Sequence, residues 1–327
     1  MKKLLSWILI LTALFSLAAC GKKEPGAGQG QLEVLADIMT ETGEFLHSSV
    51  ENPTFGSVGG EWLILGLARS GLEVSGEYYE TYFQNLSAYT AQQGGVLHEK
   101  KYTEYSRVIL AVTAIGEDPT DVGGFNMLQP LADFEQTVFQ GVNGPAFALL
   151  ALDSGNYEIP ENIADSTQAT RDMYVDYIIN AQLPEGGWCL MGDEAEIDVT
   201  AMALQALAKY QERKDVAEAI EKGLAILSSR QNETGGYQYS DAEQVSSESV
   251  SQVIVALAEL GISLNDDRFV KNGKSLLDGL LQFRQEDGGF SHLIDGETDL
   301  LATEQAFYAL VASDRVARGE SALYSMK

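Results

Sequence analysis

The chain contains few cysteines, few histidines and few basic residues. Its 327 residues include two cysteines, three histidines and 21 Lys and Arg against 48 Asp and Glu. Cys20 and Cys189 are too few for a disulfide framework or a cysteine-rich metal site, and His47, His98 and His292 lack metal-ligand spacing. The formal charge of −27 argues against a nucleic-acid partner, because phosphate binding needs basic side chains. No metal site or cofactor is evident.

A hydrophobic run long enough to cross a membrane is also missing. Lys2 and Lys3 precede an apolar stretch over residues 4–17 and then small residues, which is the layout of a secretory signal. This stretch is short for a membrane span. Residues 17–20 read Leu-Ala-Ala-Cys and resemble the lipobox of bacterial lipoproteins, in which the cysteine is lipidated and becomes the first mature residue. The alternative is an ordinary signal peptide with an incidental cysteine.

Three segments follow from this resemblance. Residues 1–19 are the signal peptide, residues 20–30 are lipidated Cys20 and a flexible tether rich in Gly, Pro and Lys, and residues 31–327 are a single domain. Removing the signal takes away two lysines and no acid, which leaves 19 basic against 48 acidic residues and a formal charge of −29. The lipobox implies a protein held through Cys20 on the extracytoplasmic face of the cell membrane.

Beyond the tether, a helical unit repeats six times. Each unit contains a helix that is apolar nearly all round and rich in small residues, as a helix packed on both sides requires. These inner helices are predicted at 62–71, 107–116, 146–155, 201–210, 252–261 and 304–313. Amphipathic outer helices are predicted before them, at 31–49, 77–92, 130–139, 167–182, 213–230 and 267–284. The pattern predicts an all-α protein of six helical hairpins.

The loops that lead into the inner helices carry a further repeated signal. Paired glycines are followed by Trp188, Tyr237 and Phe290, and a glutamine precedes each pair. Residues 122–125, Val-Gly-Gly-Phe, come before their outer helix instead, so the register is expected to slip in the third repeat. The motifs resemble the glutamine-tryptophan repeats of the prenyltransferase and squalene-cyclase-like superfamily. The resemblance implies an (α/α)6 toroid, two concentric rings of six helices around a cavity, with the aromatic rings packed between hairpins.

In such a toroid the N-termini of the inner helices share one rim, where their unpaired N–H groups face a ligand. Polar residues concentrate there. For Asp198, Ser247 and Thr298 helix capping is an alternative role, and for the charged residues just inside the helices the alternative is an ion pair across the lumen. The candidate ligand-binding residues are Trp62, Tyr105, Arg107, Trp188, Glu248, Gln252, Glu304 and Gln305.

The catalytic signatures of the superfamily are missing from the sequence. Residues 196–199 read Glu-Ile-Asp-Val and lack the second adjacent carboxylate of the class II cyclase acid. Gly187, two residues before Cys189, replaces the aspartate of the prenyltransferase zinc site, and no thioester motif is present. Glu61, Asp198 and Glu304 remain as candidate catalytic carboxylates, with Glu61 and Glu304 expected to meet where the ring closes.

Residues 198–207 also resemble the helix pattern of the non-catalytic branch, the cobalamin carriers of the transcobalamin and intrinsic-factor type. This resemblance implies a protein that binds a bulky, partly apolar small molecule, corrinoid-like, at the rim for a transporter. Those carriers close the site with a C-terminal β domain, so the expected partners include a separate lid domain. The alternatives are an enzyme, either terpene-cyclase-like or a polysaccharide lyase or hydrolase using rim carboxylates, and a scaffold for another surface protein.

Overall fold

Six inner helices form a closed ring. The computed structural model describes residues 27–238 and 245–327. Each inner helix packs against the next along the chain, and the last packs against the first. The inner helices are α2 (Glu61–Ser70), α4 (Thr103–Ala114), α6 (Asn143–Ser154), α8 (Ile197–Leu207), α10 (Ser247–Glu259) and α12 (Leu300–Ala317). Small residues allow the close packing: a Cβ on Gly66 of α2 would lie 2.8 Å from the ring of Phe307.

The outer elements surround this ring and confirm the toroid. They are α1 (Ala27–Ser49), α3 (Gly76–Gln92), α5 (Phe134–Thr137), α7 (Arg171–Asn180), α9 (Lys214–Arg230) and α11 (Leu276–Leu281). In the described ranges the only β-structure consists of isolated bridges. None of the described helices is long and apolar enough to span a membrane. The predicted signal peptide, Cys20 and the first part of the tether lie outside the described residues.

The loops with paired glycines tie the hairpins together. Trp188, Tyr237 and Phe290 are completely buried, as the resemblance implies. The Trp188 backbone N–H donates to Thr200 Oγ1 at 2.9 Å, and the Phe290 N–H donates to Thr303 Oγ1 at the same distance. These two loops are thereby fastened to the first turns of the inner helices that follow them.

Two outer elements differ from the predicted long helices. The prediction of one helix over 267–284 is wrong: a 3-10 helix, Asp267–Phe269, is followed by a tight turn that bridges Lys271 and Lys274, and only then by α11. Asn272 (φ 53°) and Gly273 (φ 78°) both adopt left-handed backbone, as a two-residue hairpin turn requires.

The third repeat contains the same turn. Val122 and Phe125 form a bridge across Gly123 and Gly124, both with positive φ. The predicted helix 130–139 is α5 flanked by 3-10 helices at Gln129–Ala132 and Val138–Gln140. The Val-Gly-Gly-Phe sequence is therefore not a displaced glycine loop, and the expected register slip is replaced by a hairpin turn shared with the sixth repeat.

The segment after α12 closes the end of the ring opposite the rim. The Arg69 guanidinium donates to the carbonyl oxygens of Ala322, Leu323 and Ser325, at 3.0 Å in each case. Tyr324 is buried, and its hydroxyl lies 3.4 Å from Gln205 Oε1 inside the ring. The lumen is consequently accessible from the rim side and floored by Tyr324.

Candidate functional site

A pocket of about 640 Å³ opens at the rim, and we call it the rim pocket. It lies between the 190–196 loop, the first turn of α8, the start of α6 and the start of α10. Its lining mixes carboxylates with apolar side chains: Asn143, Leu190, Met191, Gly192, Asp193, Glu194, Ala195, Glu196, Ile197, Asp198, Val199, Met202, Arg230, Gln238 and Ser249.

Asp198 is the second residue of α8 and faces this pocket. Its Oδ1 is buried and has no hydrogen-bond partner among the described residues. Burial raises the pKa of the Asp198 carboxyl, a hydrogen bond with Ser249 opposes this shift, and the negative charges of Glu248 and Glu196 add to it. Asp198 therefore presents one desolvated carboxyl oxygen, Oδ1, for which the described residues supply no donor.

The predicted capping roles need correction. The N-cap of α8 is Glu196, without a side-chain cap, so Asp198 does not cap its helix. Ser246, not Ser247, caps α10, and Asp299, not Thr298, caps α12. The capping explanation of Asp198 is thereby removed.

Glu248, on α10, lies beside Asp198 of α8 and pairs with a histidine. His292 Nδ1 is 2.8 Å from Glu248 Oε1, and Ser247 Oγ donates to Glu248 Oε2 at 3.2 Å. The His292 side chain is 40% exposed, whereas that of Glu248 is 13% exposed. The pair thus places an imidazole within reach of solvent beside the carboxylates of the rim.

Below the rim pocket lies a lumen cavity of about 150 Å³. Asn143 and Met202 line both spaces, and we call the place where they meet the neck. The Trp62 ring in the lumen is 5.5 Å from the Tyr308 ring and 5.9 Å from the Phe147 ring, measured between centroids. The lumen is therefore narrow and largely filled by aromatic side chains.

A chain of amides crosses the lumen. Gln205 Nε2 donates to Gln252 Oε1 at 3.0 Å, and Gln252 Nε2 donates to Gln305 Oε1 at 2.9 Å and to the Tyr308 hydroxyl. Gln205 lies on α8 and Gln252 on α10, while Gln305 and Tyr308 both lie on α12. The amides join α8, α10 and α12 and orient polar groups toward the cavity.

Glu61 lies at the seam where α2 meets α12. Its Oε1 accepts hydrogen bonds from the Gly56 N–H at 3.1 Å and the Tyr82 hydroxyl at 3.3 Å. Arg107 Nη2 is 3.3 Å from Glu61 Oε2 and also pairs with Glu104. Burial raises the pKa of Glu61 to about 7, and Arg107 is the main opposing influence. The Arg107–Glu61 pair joins α4 to α2, as expected for an ion pair that fixes the ring.

Glu304 meets Glu61 at the same seam, as the closed ring predicts. Its Oε1 accepts the Gly59 N–H at 2.7 Å, while its buried Oε2 has no partner within the described residues. Burial raises the pKa of Glu304 to about 8, the Gly59 hydrogen bond opposes this shift, and the nearby Glu61 increases it. A group with this pKa is largely protonated at neutral pH.

The predicted ligand-binding residues fall into separate groups. Trp62, Arg107, Gln252 and Gln305 line the lumen cavity, Glu248 borders Asp198, and Glu304 is enclosed at the seam. Two others lie elsewhere.

Tyr105 and Trp188 are the two residues outside these groups. The Tyr105 hydroxyl accepts the Leu97 N–H at 3.1 Å, so the side chain is held beneath the second-repeat loop. Trp188 Nε1 donates to the Ile178 carbonyl at 2.7 Å, away from both cavities. Their burial and hydrogen bonds account for both side chains structurally.

Sequence reasoning missed several residues of the lumen and neck. Asn143, at the start of α6, is not among the predicted binding residues, although it lines both cavities and its buried Oδ1 has no partner in the described ranges. Gln205, the lone amide in an apolar helix, offered a signal that was not used. His292 and Tyr324 are brought in by loops whose sequences carry no motif. In the described part of the chain, no group of three or more His, Cys, Asp or Glu is arranged to hold a metal ion.

Solved structures share this fold. Type II terpene cyclase MstE from Scytonema is 14% identical, with 87% of this chain and 99% of that chain covered and a TM-score of 0.57. The unsaturated glucuronyl hydrolase from Bacillus sp. GL1 is 10% identical, covers 90% and 99%, and has a TM-score of 0.57. ent-Copalyl diphosphate synthase from Streptomyces platensis is 18% identical, with 77% and 49% covered and a TM-score of 0.54. At these identities the likeness concerns the fold alone.

Sequence comparison identifies the family. No curated protein matches the chain in sequence. The family model described as the prenyltransferase alpha-alpha toroid domain matches residues 142–244 and 211–318, which together span more than half of the chain. The matched region contains α6 to α12 and the loops with Trp188, Tyr237 and Phe290. The protein therefore belongs to the prenyltransferase alpha-alpha toroid domain family.

Proposed function

We propose that the protein binds a bulky, partly apolar small molecule in the rim pocket. The observation that carries this proposal is the size and composition of the pocket. Its volume of about 640 Å³ lies within the range of about 300–1,000 Å³ that is usual for ligand sites. The lumen cavity of about 150 Å³ is below that range, so the body of the ligand rests at the rim and only a small group enters the ring.

The pocket walls suit a ligand of mixed character. Met191 and Leu190 are 87% and 44% exposed at the mouth, and Met202 lies at the neck. Exposed methionines are adaptable apolar contacts. Asp198 and Asn143 supply fixed polar groups. Carboxylates and amides thus share the lining with Met and Leu side chains, so the pocket suits a ligand that has both polar and apolar groups.

A corrinoid-like molecule is the ligand that the resemblance to the cobalamin carriers suggests. The open rim leaves one face of such a ligand uncovered, so a separate lid domain or a transporter would complete the site. In this proposal the protein presents its ligand to a membrane importer. No cofactor is required for that role.

The experiment is a fluorescence titration of residues 21–327 against corrinoids, isoprenoids and oligosaccharides. Trp62 lines the lumen cavity and should respond to a bound ligand, whereas Trp188 is buried away from it. Trp188→Phe should keep the ligand-induced change, and Trp62→Phe should lose it. If every compound fails to bind by calorimetry as well, the binding function is wrong.

We also propose that Cys20 anchors the protein to the extracytoplasmic face of the membrane. The lipobox sequence ending in Cys20 and the tether after it support this placement. Metabolic labelling with a fatty acid should mark the wild type and leave Cys20→Ala unlabelled. Label retained in the variant would contradict the proposal.

A catalytic role is the second candidate, and Asp198 is the observation that favours it. A desolvated carboxyl with a raised pKa can act as a general acid. The acidic, open rim fits an oligosaccharide better than a folded isoprenoid chain, since the lumen is narrow. Incubation with unsaturated glucuronyl oligosaccharides and with geranylgeranyl dihydroxybenzoate, followed by mass spectrometry, tests both chemistries. Turnover that disappears in Asp198→Asn would establish the enzyme.

A further inference from the structure

We propose that the ligand of the rim pocket carries a positively charged nitrogen, which binds in that pocket beside Asp198 and Asn143, toward the neck. This inference rests on the proposed binding function and adds the chemical class of the ligand. An ammonium group attached to an apolar body is the simplest molecule that satisfies it.

The first argument is the charge of the pocket. Asp193, Glu194, Glu196 and Asp198 line it, and Arg230 is the only basic residue among the described residues of the lining. Arg230 Nη1 donates to the Ala195 carbonyl, so its guanidinium is already engaged with the loop. Acidic clefts with low-dielectric walls concentrate cations. The electrostatic field at the rim therefore favours a cationic ligand over a neutral or anionic one.

The second argument is independent of net charge and concerns two unpaired atoms. Asp198 Oδ1 and Asn143 Oδ1 are both buried without a hydrogen-bond partner in the described ranges. Leaving a buried acceptor unpaired costs about 1–3 kcal/mol. Both atoms are acceptors, so they are satisfied by a ligand that donates hydrogen bonds. A carboxylate or phosphate ligand would instead meet the Asp198 carboxylate and the other acidic side chains of the lining.

The third argument is the aromatic lining below the neck. The rings of Trp62, Phe147 and Tyr308 face the cavity that the neck opens into. Aromatic faces attract cations, most strongly those of Trp. Arg107 also borders this cavity, but Glu61 and Glu104 pair with its guanidinium. The lumen thus offers aromatic surface to a cationic group at the neck.

Proton linkage gives a further expectation. Burial raises the pKa of the Asp198 carboxyl above its usual value, and a bound cation favours the ionised form of this carboxyl. Affinity for an ammonium ligand should therefore increase as the pH rises through the raised pKa. The titratable and polar groups facing Asp198 are Glu196, Glu248, Ser249, His292 and Tyr308, and their hydrogen bonds and charges set the midpoint.

The test uses three probes with one apolar body and different charges. They are 1-naphthylmethylamine, its neutral N-acetyl derivative and 1-naphthylacetate, measured by calorimetry with residues 21–327. The amine should bind at least about tenfold more tightly than the other two, a difference of about 1.4 kcal/mol. Asp198→Asn should abolish this preference and leave the affinity of the N-acetyl derivative unchanged.

Glu185→Gln is the matched control. Glu185 is exposed, belongs to the same glycine loop and does not line the rim pocket, so the amine preference should persist in this variant. Equal binding of the three probes would overturn the cation inference and leave the binding function intact. Failure of the amine to bind with a dissociation constant below about 1 mM would also overturn it, whereas failure of the whole ligand panel would refute the binding function itself.

Discussion

Carboxyl groups at the starts of the inner helices have two different environments. At the seam between α12 and α2, Glu61 and Glu304 accept the backbone N–H groups of Gly56 and Gly59. At the start of α8, Asp198 faces a pocket and keeps one buried oxygen unpaired in the described part of the chain. Burial raises the pKa in both places. The difference is that, among the described residues, the seam is covered by other parts of the chain, whereas the rim pocket is open.

The cover at the seam comes from one loop and one arginine. The 50–60 loop folds over the two glutamates, and a Cβ on Gly60 would lie 2.2 Å from the Gly56 carbonyl oxygen. Arg107 reaches Glu61 from α4. The N-terminal ends of the inner helices thus hold carboxyl groups that serve ring closure in one place and border an open pocket in the other.

The largest effect is expected from Glu61→Ala. The substitution leaves Arg107 with Glu104 alone and removes the acceptor of the Tyr82 hydroxyl and the Gly56 N–H. Removing one partner of a buried ion pair costs about 3–5 kcal/mol. Guanidinium denaturation should show this loss in the free energy of unfolding.

The control for this prediction is Glu80→Ala. Glu80 is exposed on α3, and such a change should stay within about 0.5 kcal/mol. Equal stability of the Glu61 and Glu80 variants would mean that the seam does not hold the ring together.

A smaller effect, dependent on pH, is expected from Glu304→Gln. The pKa of Glu304 is raised from 4.5 to about 8 in the folded protein, so its contribution to stability is complete below pH 4.5 and is lost as the pH rises through 8. Glutamine does not ionise. Between pH 5 and 8 the unfolding free energy of the variant should therefore rise relative to wild type by a few kcal/mol, since one pKa unit corresponds to about 1.4 kcal/mol.

Urea denaturation at several pH values measures this difference. Glu297→Gln, at an exposed site before α12, serves as the control. A gap between Glu304→Gln and wild type that does not change with pH would show that Glu304 is ionised throughout.

The smallest effect on stability is expected from Asp198→Asn. Asp198 caps no helix, and its Oδ1 makes no hydrogen bond in the described structure. The free energy of unfolding should therefore change by less than about 0.5–1 kcal/mol. The preference for the amine probe over its neutral and anionic counterparts should be lost in the same variant. A large loss of stability would place Asp198 with the seam glutamates as a structural residue.

The comparison also shows how far the sequence predicts the site. The glutamines and paired glycines before Trp188, Tyr237 and Phe290 located these loops correctly, because the turn conformation of each loop depends on neighbouring residues in the sequence. The apolar spacing over 267–284 predicted a helix where the Asn272-Gly273 turn interrupts it. Here the turn signal was the stronger one, since both residues adopt backbone conformations that a helix cannot contain. The sequence also could not decide which of the neighbouring residues Ser246 and Ser247 caps α10, because either one can supply the capping hydroxyl.

The sequence by itself determined the six inner helices and their common direction, because helices that are apolar all round must be buried, and similar hairpins repeat the same packing. Only the tertiary structure decided which polar residues meet. Glu61 and Glu304, from opposite ends of the sequence, come together when α12 packs on α2. Asn143 and Asp198 line the same rim pocket, and Tyr324 floors the lumen. Such distances depend on the radius of the closed ring and the paths of its loops, which no local spacing in the sequence specifies.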